Sequence, residues 1–107
     1  MINNIEELKQ LVKDGCFFNV CIVFALNKGY RDVMKEKEEV IFSIGDYNVK
    51  FDAGNMHFIL SHKIYFARII IAYYQEVVFM GNNEDEAIAE LLTEVEKEVL
   101  RMNYLNM

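Results

Sequence analysis

The sequence predicts an α+β domain: an antiparallel β-meander of about four to six strands, with a short N-terminal helix and a long C-terminal helix packed on the sheet. Three observations carry this. Residues 40–60 (VIFSIGDYNVKFDAGNMHFIL) alternate apolar and polar around two tight turns. Residues 84–102 carry an apolar stripe at helical spacing, and residues 5–12 carry a shorter one. A period of two marks a half-buried strand, and recurrence at i, i+3, i+4 marks an amphipathic helix.

The meander is the most constrained stretch. Gly45-Asp46 suits a two-residue hairpin turn, because glycine accepts positive φ without a Cβ clash. That turn sets Ile44 opposite Tyr47, Phe42 opposite Val49 and Val40 opposite Phe51, all apolar and on one face. Taking Ala53-Gly54 as the second turn sets Phe51 opposite Met56, Val49 opposite Phe58 and Tyr47 opposite Leu60. The same face stays apolar across three strands. A D-A-G-N turn with a glycine bulge is the competing reading and shifts the pairing.

Before the meander, residues 4–14 read as a helix. Asn4 can cap it, Glu7 follows at the capping-box spacing, and Gly15 ends it. Residues 17–26 (FFNVCIVFAL) read as a strand apolar on both faces, with a buried helix as the competing reading. Residues 30–39 are polar and mixed in charge, and read as an exposed connection.

After the meander, residues 64–80 are rich in β-branched and aromatic residues. They read as a strand to about Tyr73 and a second strand at 76–80. A buried helix competes here too, and both readings put Arg68 and Glu76 on one face as a candidate pair. Asn83 then caps the last helix. Glu84, Asp85 and Glu86 complement its dipole, and Ile88, Leu91, Leu92, Val95, Val99 and Met102 form its apolar stripe. This helix is expected to lie across the apolar face of the meander.

The 107 residues suffice for a single domain spanning 1–107, and 53% hydrophobic with 26% charged residues is a globular balance. No run is long and apolar enough for a membrane span. The stretch MINNIEELKQ lacks the basic and apolar regions of a signal peptide, so a cytoplasmic location is expected. Cys16 and Cys21 read as small apolar core residues rather than a disulfide. Proline and tryptophan are absent. Asn, Ile, Lys, Phe, Tyr and Met are abundant, as AT-rich coding favours, which points to a low-GC bacterium or its phages.

The net charge of −6 resides in one place. Positions 84–98 hold seven acids and one lysine, while elsewhere ten acids and ten bases cancel. Glu86, Glu90, Glu94 and Glu98 recur at i, i+4 along one helix face. They read as a solvated face or as a recognition stripe for a partner with a basic surface. The same acidity argues against direct binding to nucleic acid or anionic membrane, which is held by basic patches.

The sequence carries no recognisable catalytic, nucleotide-binding or metal-binding motif. The two histidines, His57 and His62, stand in no metal-ligand spacing, and there is no GxGxxG, Walker or GxSxG sequence. No catalytic residue, metal or cofactor is therefore assigned. The expected function is a non-enzymatic acidic protein acting by stoichiometric binding to a protein partner through Glu86, Glu90, Glu94 and Glu98. Its concrete form is a phage- or mobile-element inhibitor of a host nucleic-acid-handling defence complex. The alternative is an antitoxin-like or regulatory subunit that binds through an apolar sheet face bearing Phe66, Arg68 and Tyr74, residue types typical of interface hot spots. A homodimer is compatible with either. A small enzyme or ligand-binding domain, with a pocket between sheet and helix, is the third reading.

Overall fold

The structure is a computed structural model and describes residues 5–30, 40–74 and 76–105. Two helices come first, α1 (Ile5–Lys13) and α2 (Phe17–Asn27). Five strands follow: β1 (Val40–Ile44), β2 (Tyr47–Asp52), β3 (His57–His62), β4 (Ala67–Ala72) and β5 (Val77–Gly81). They form one antiparallel sheet in the order β1-β2-β3-β4-β5, and α3 (Glu84–Leu105) closes the chain. The predicted Asn4 cap and the connection at residues 31–39 lie outside the described residues.

The first hairpin forms at Gly45-Asp46, with Ile44 opposite Tyr47 and Phe42 opposite Val49. Gly45 takes the positive φ (55°) that such a turn needs. A register shift between Val40 and Phe42 then sets Val40 opposite Lys50 rather than the expected Phe51. At the second hairpin the pairing is two residues further on than the Ala53-Gly54 turn implies: Phe51 meets Phe58, Val49 meets Leu60 and Tyr47 meets His62. The cause is Asp52. Its carboxylate accepts the Gly54 and Asn55 N–H groups at 3.0 and 3.3 Å and the Asn55 side-chain amide at 2.7 Å. This local bonding favours a longer loop, and Met56 closes it with φ of 55°. A shift of two preserves side-chain parity, so the apolar face survives.

Residues 17–27 form a helix, not the predicted strand. The run is apolar on all sides, so its alternation carried no information on which face must be buried. Its length, eleven residues, fits a helix better than a strand. A helix also satisfies its own backbone within the segment, whereas a strand needs a ladder partner. The expected Arg68–Glu76 pair does not form among the described residues. Arg68 opposes Met80, and Glu76 accepts the Ala72 N–H through its backbone carbonyl.

Among the described helices, α2 and α3 pack against the sheet and α1 packs against both of them. Phe18 of α2 packs edge-on against Phe58 (5.0 Å), Tyr73 (5.4 Å) and Phe51 (6.4 Å). The Tyr47 hydroxyl donates to the Ala87 carbonyl of α3 at 3.3 Å. Both contacts use the face formed by Tyr47, Val49, Phe51, Phe58, Leu60, Ile69 and Ile71, each no more than 1% exposed. Ala87, Leu91, Val95, Val99 and Met102 bury the facing stripe of α3. The opposite face carries Lys50, Ile59, Ser61, Arg68, Ile70, Val78 and Met80, and no described helix covers it. No described helix is long and apolar enough to cross a membrane.

Gly45→Ala should lower stability by about 1–2 kcal/mol in urea denaturation, since alanine resists the left-handed conformation. Its Cβ would also stand 2.5 Å from Glu94 Cγ, so trimming Glu94 should restore only part of the loss. Cys21 is buried, and burial pushes its thiol up to about 12. At mildly alkaline pH, iodoacetamide should alkylate the half-buried Cys16 and reach Cys21 only on unfolding. Because the unfolded chain releases the Cys21 proton at lower pH than the folded chain, stability should fall as pH rises above about 8.5. That decline should be shallower in Cys21→Ala.

Candidate functional site

The four glutamates share one side of α3, but they do not form a continuous solvated stripe. Glu86 is exposed and takes a hydrogen bond from the Asn83 side chain at 3.0 Å. Glu90 and Glu94 are half-buried, and Glu98 is 7% exposed. Glu94 folds over the β1–β2 turn, where it fills the space above Gly45 and pairs with Lys97 at 3.2 Å. Glu98 pairs with Arg101 at 3.3 Å beside a polar cleft that Lys28, Ser43 and Gly45 also line. The acids left open to solvent on α3 are Glu84, Asp85, Glu86 and Glu96.

Glu90 is instead the centre of a network that joins α3 to the β3–β4 turn. Its Oε1 lies 3.1 Å from His62 Nε2, and its Oε2 accepts the Tyr65 hydroxyl. His62 reaches it because the two-residue shift places position 62 opposite Tyr47, on the covered face. The imidazole is clamped from both sides: it stacks on the Tyr65 ring at 3.7 Å and meets Tyr47 edge-on at 4.9 Å. Its Nδ1 accepts the Ile64 and Tyr65 N–H groups at 3.1 and 3.3 Å. Nδ1 is therefore the unprotonated nitrogen, and Nε2–H donates to Glu90.

Donor atoms of Asp46, His62 and Glu90 lie within 4.8 Å of one another, close enough to frame a cation. Coordination through His62 Nε2 would force a proton onto Nδ1, against two backbone donors, whereas metal-ligating histidines turn their other N–H to an acceptor. Glu90 Oε2 is also already occupied. The set fits a hydrogen-bonded latch better than a metal site. The carboxylate raises Tyr65 well above the usual phenol range, mainly through their shared hydrogen bond. The Tyr65 hydroxyl in turn holds Glu90 below the usual carboxylate range, opposed by desolvation and assisted by His62. Burial raises Tyr47 as well. A phenol that holds its proton so firmly is a poor acid, and a carboxylate held low with both oxygens engaged is a poor base.

The second group of sequence candidates lies on the uncovered side. Phe66 is 64% exposed and Arg68 is exposed beside Met80, while Tyr74 stands 83% exposed in the β4–β5 connection. Val78 and Met80, opposite Ile70 and Arg68, extend this surface across β5, and Ile64 is exposed in the β3–β4 turn. Phe66 and Arg68 thus fall together, whereas Tyr74 stands beyond the far end of β4. His62, Tyr65 and Tyr47 were not among the sequence candidates. Only the true register puts His62 under α3, and no local motif announces it. Compared with protein-family models, curated proteins and solved structures, the chain matches none of them.

The latch has a pH signature. Glu90 is held low in the folded state, so the stability it contributes is present above the ordinary carboxylate range and is lost as pH falls through its folded value. Chemical denaturation of wild type and Glu90→Gln should show a gap that is widest near neutrality and narrows as the solution is acidified. A constant gap would mean that Glu90 is not ionised in the latch.

Proposed function

We propose that this chain is a non-catalytic interaction protein that binds a protein partner through the uncovered side of its sheet, at β4 and β5. The observation that carries the reading is the exposure of Arg68, Val78 and Met80 on a face with no described helix over it, with Phe66 exposed in the turn that leads into β4. Apolar surface collected in this way, together with an aromatic and an arginine, has the composition of a binding hot spot. This favours the regulatory-subunit or antitoxin-like form of the expectation. Inhibition of a host nucleic-acid-handling complex remains a specific version of the same proposal. In that version, Glu84, Asp85 and Glu86 are the acids that would meet a basic partner, because Glu90, Glu94 and Glu98 already have partners in the fold.

The two forms differ in salt dependence. Apolar docking should persist at high ionic strength, while an acidic contact should weaken steeply. Affinity capture from a bacterial lysate at two ionic strengths, with Phe66→Ser and Arg68→Ala beside wild type, separates them. We expect a captured protein that resists salt and is lost in both variants. Capture that ignores both substitutions but disappears in Glu84→Lys/Glu86→Lys would reverse the choice of surface.

A further inference from the structure

We infer that β5 is a pairing edge for a second copy of this chain, joining two five-stranded sheets into one continuous antiparallel sheet of ten. The inference shares with the proposed function the view that this side of the sheet is an interaction surface, but it concerns the strand edge, not the face. The two edges of the sheet differ. β1 carries a register irregularity between Val40 and Phe42, whereas α3 approaches both edge strands and does not distinguish them. Bulges are a usual protection of an edge. β5 has no irregularity in its register with β4, no proline and no charged residue in Val77–Gly81. Four of its five residues are exposed. An uncharged apolar edge of this kind is a template for another strand.

Hydrogen-bond parity specifies the pairing. Ala72 N–H donates to the Glu76 carbonyl at 2.9 Å, so residues 72 and 76 are a bonded pair. Bonded and non-bonded pairs alternate along an antiparallel ladder. Ile70 with Val78 and Arg68 with Met80 are then the other bonded pairs, and Val77, Phe79 and Gly81 turn their N–H and C=O groups outward. These three positions are symmetric about Phe79. A two-fold axis there pairs Phe79 with Phe79 of the second copy, and Val77 with its Gly81. Every outward donor meets an outward acceptor, as an isologous interface requires.

The side chains agree with this register. Val78 falls opposite Met80 on the uncovered face, and Val77 falls opposite Gly81, where there is no side chain to crowd it. Beyond the strand, Glu76 falls opposite Asn82, so no like charges face each other across the seam. Antiparallel pairing also sends the two acidic starts of α3 to opposite ends of the seam. The two Gly81 residues are then about 14 Å apart, four strand residues, which exceeds the screening length in physiological salt. The seam is short, so the dimer is expected to be concentration-dependent rather than obligate.

Sedimentation of the full chain over a concentration series tests this, with Val77→Pro and Val78→Lys beside wild type. The Val77 N–H points outward, so proline there removes a seam donor and leaves the β4 ladder intact. Lysine at the exposed position 78 charges the edge without touching the core. Wild type should shift with concentration toward twice the 12.6 kDa chain mass, and both variants should remain at the single-chain mass with unchanged circular dichroism. Amide exchange at Val77, Phe79 and Gly81 should slow with concentration in wild type. This measurement and Val78→Lys decide the matter if Val77→Pro does not fold. A wild type that stays at the single-chain mass, or a dimer that survives Val78→Lys with those amides still exchanging freely, overturns the inference. A single chain that nevertheless captures a partner through Phe66 and Arg68 would sink the dimer alone and leave the proposed function standing.

Discussion

Burial of one sheet face beneath α2 and α3 is the constraint on which the rest of the structure depends. Tyr47, Val49, Phe51, Phe58, Leu60, Ile69 and Ile71 all point to that face, and a one-residue slip in any hairpin would turn its strand's share to water. Phe18 is the main contact across the gap, because its ring meets two strands and the β4–β5 connection together. Each aromatic pair of this geometry adds roughly 0.5–1.5 kcal/mol beyond burial. The cluster therefore fixes where α2 lies as well as stabilising it. Once one face is filled in this way, the other is left without a helix, and the surface available for binding follows from that asymmetry.

The same constraint explains the fate of the glutamates. A helix that presents Ala87, Leu91, Val95 and Val99 to the sheet carries the neighbouring positions 90, 94 and 98 along the border of that contact. Acids withdrawn from water need partners, and each has one: His62 and Tyr65 for the half-buried Glu90, Lys97 for the half-buried Glu94, Arg101 for the buried Glu98. The repulsion expected of four acids at i, i+4 is thereby offset by local contacts. What looked like a surface pattern is in part the way α3 is seated. The Glu90 network in particular holds the β3–β4 turn, and with it the exposed Ile64 and Phe66, in a defined position.

The long-range contrast between the two sheet edges has a simple origin. β1 is distorted between Val40 and Phe42, while β5 keeps a regular register with β4 and has no described neighbour on its outer side. A meander necessarily has two edges, and here the irregularity falls on only one of them.

The sequence by itself determined the meander, its apolar parity, the first turn and both terminal helices. Each of these rests on local periodicity or on a residue such as Gly45 whose backbone freedom the turn requires. Tertiary structure alone decided the rest. Residues 17–27 are apolar on both strand faces, so their alternation could not choose between strand and helix, and the helix is seen only in the packed structure, where Phe18 meets the sheet. The second hairpin moved by two because the Asp52 carboxylate found the Gly54 and Asn55 N–H groups, and that movement brought His62 beneath α3. Contacts between residues 28 apart, such as His62 with Glu90, have no periodic signature, because they depend on where whole elements pack and not on the order of side chains within one.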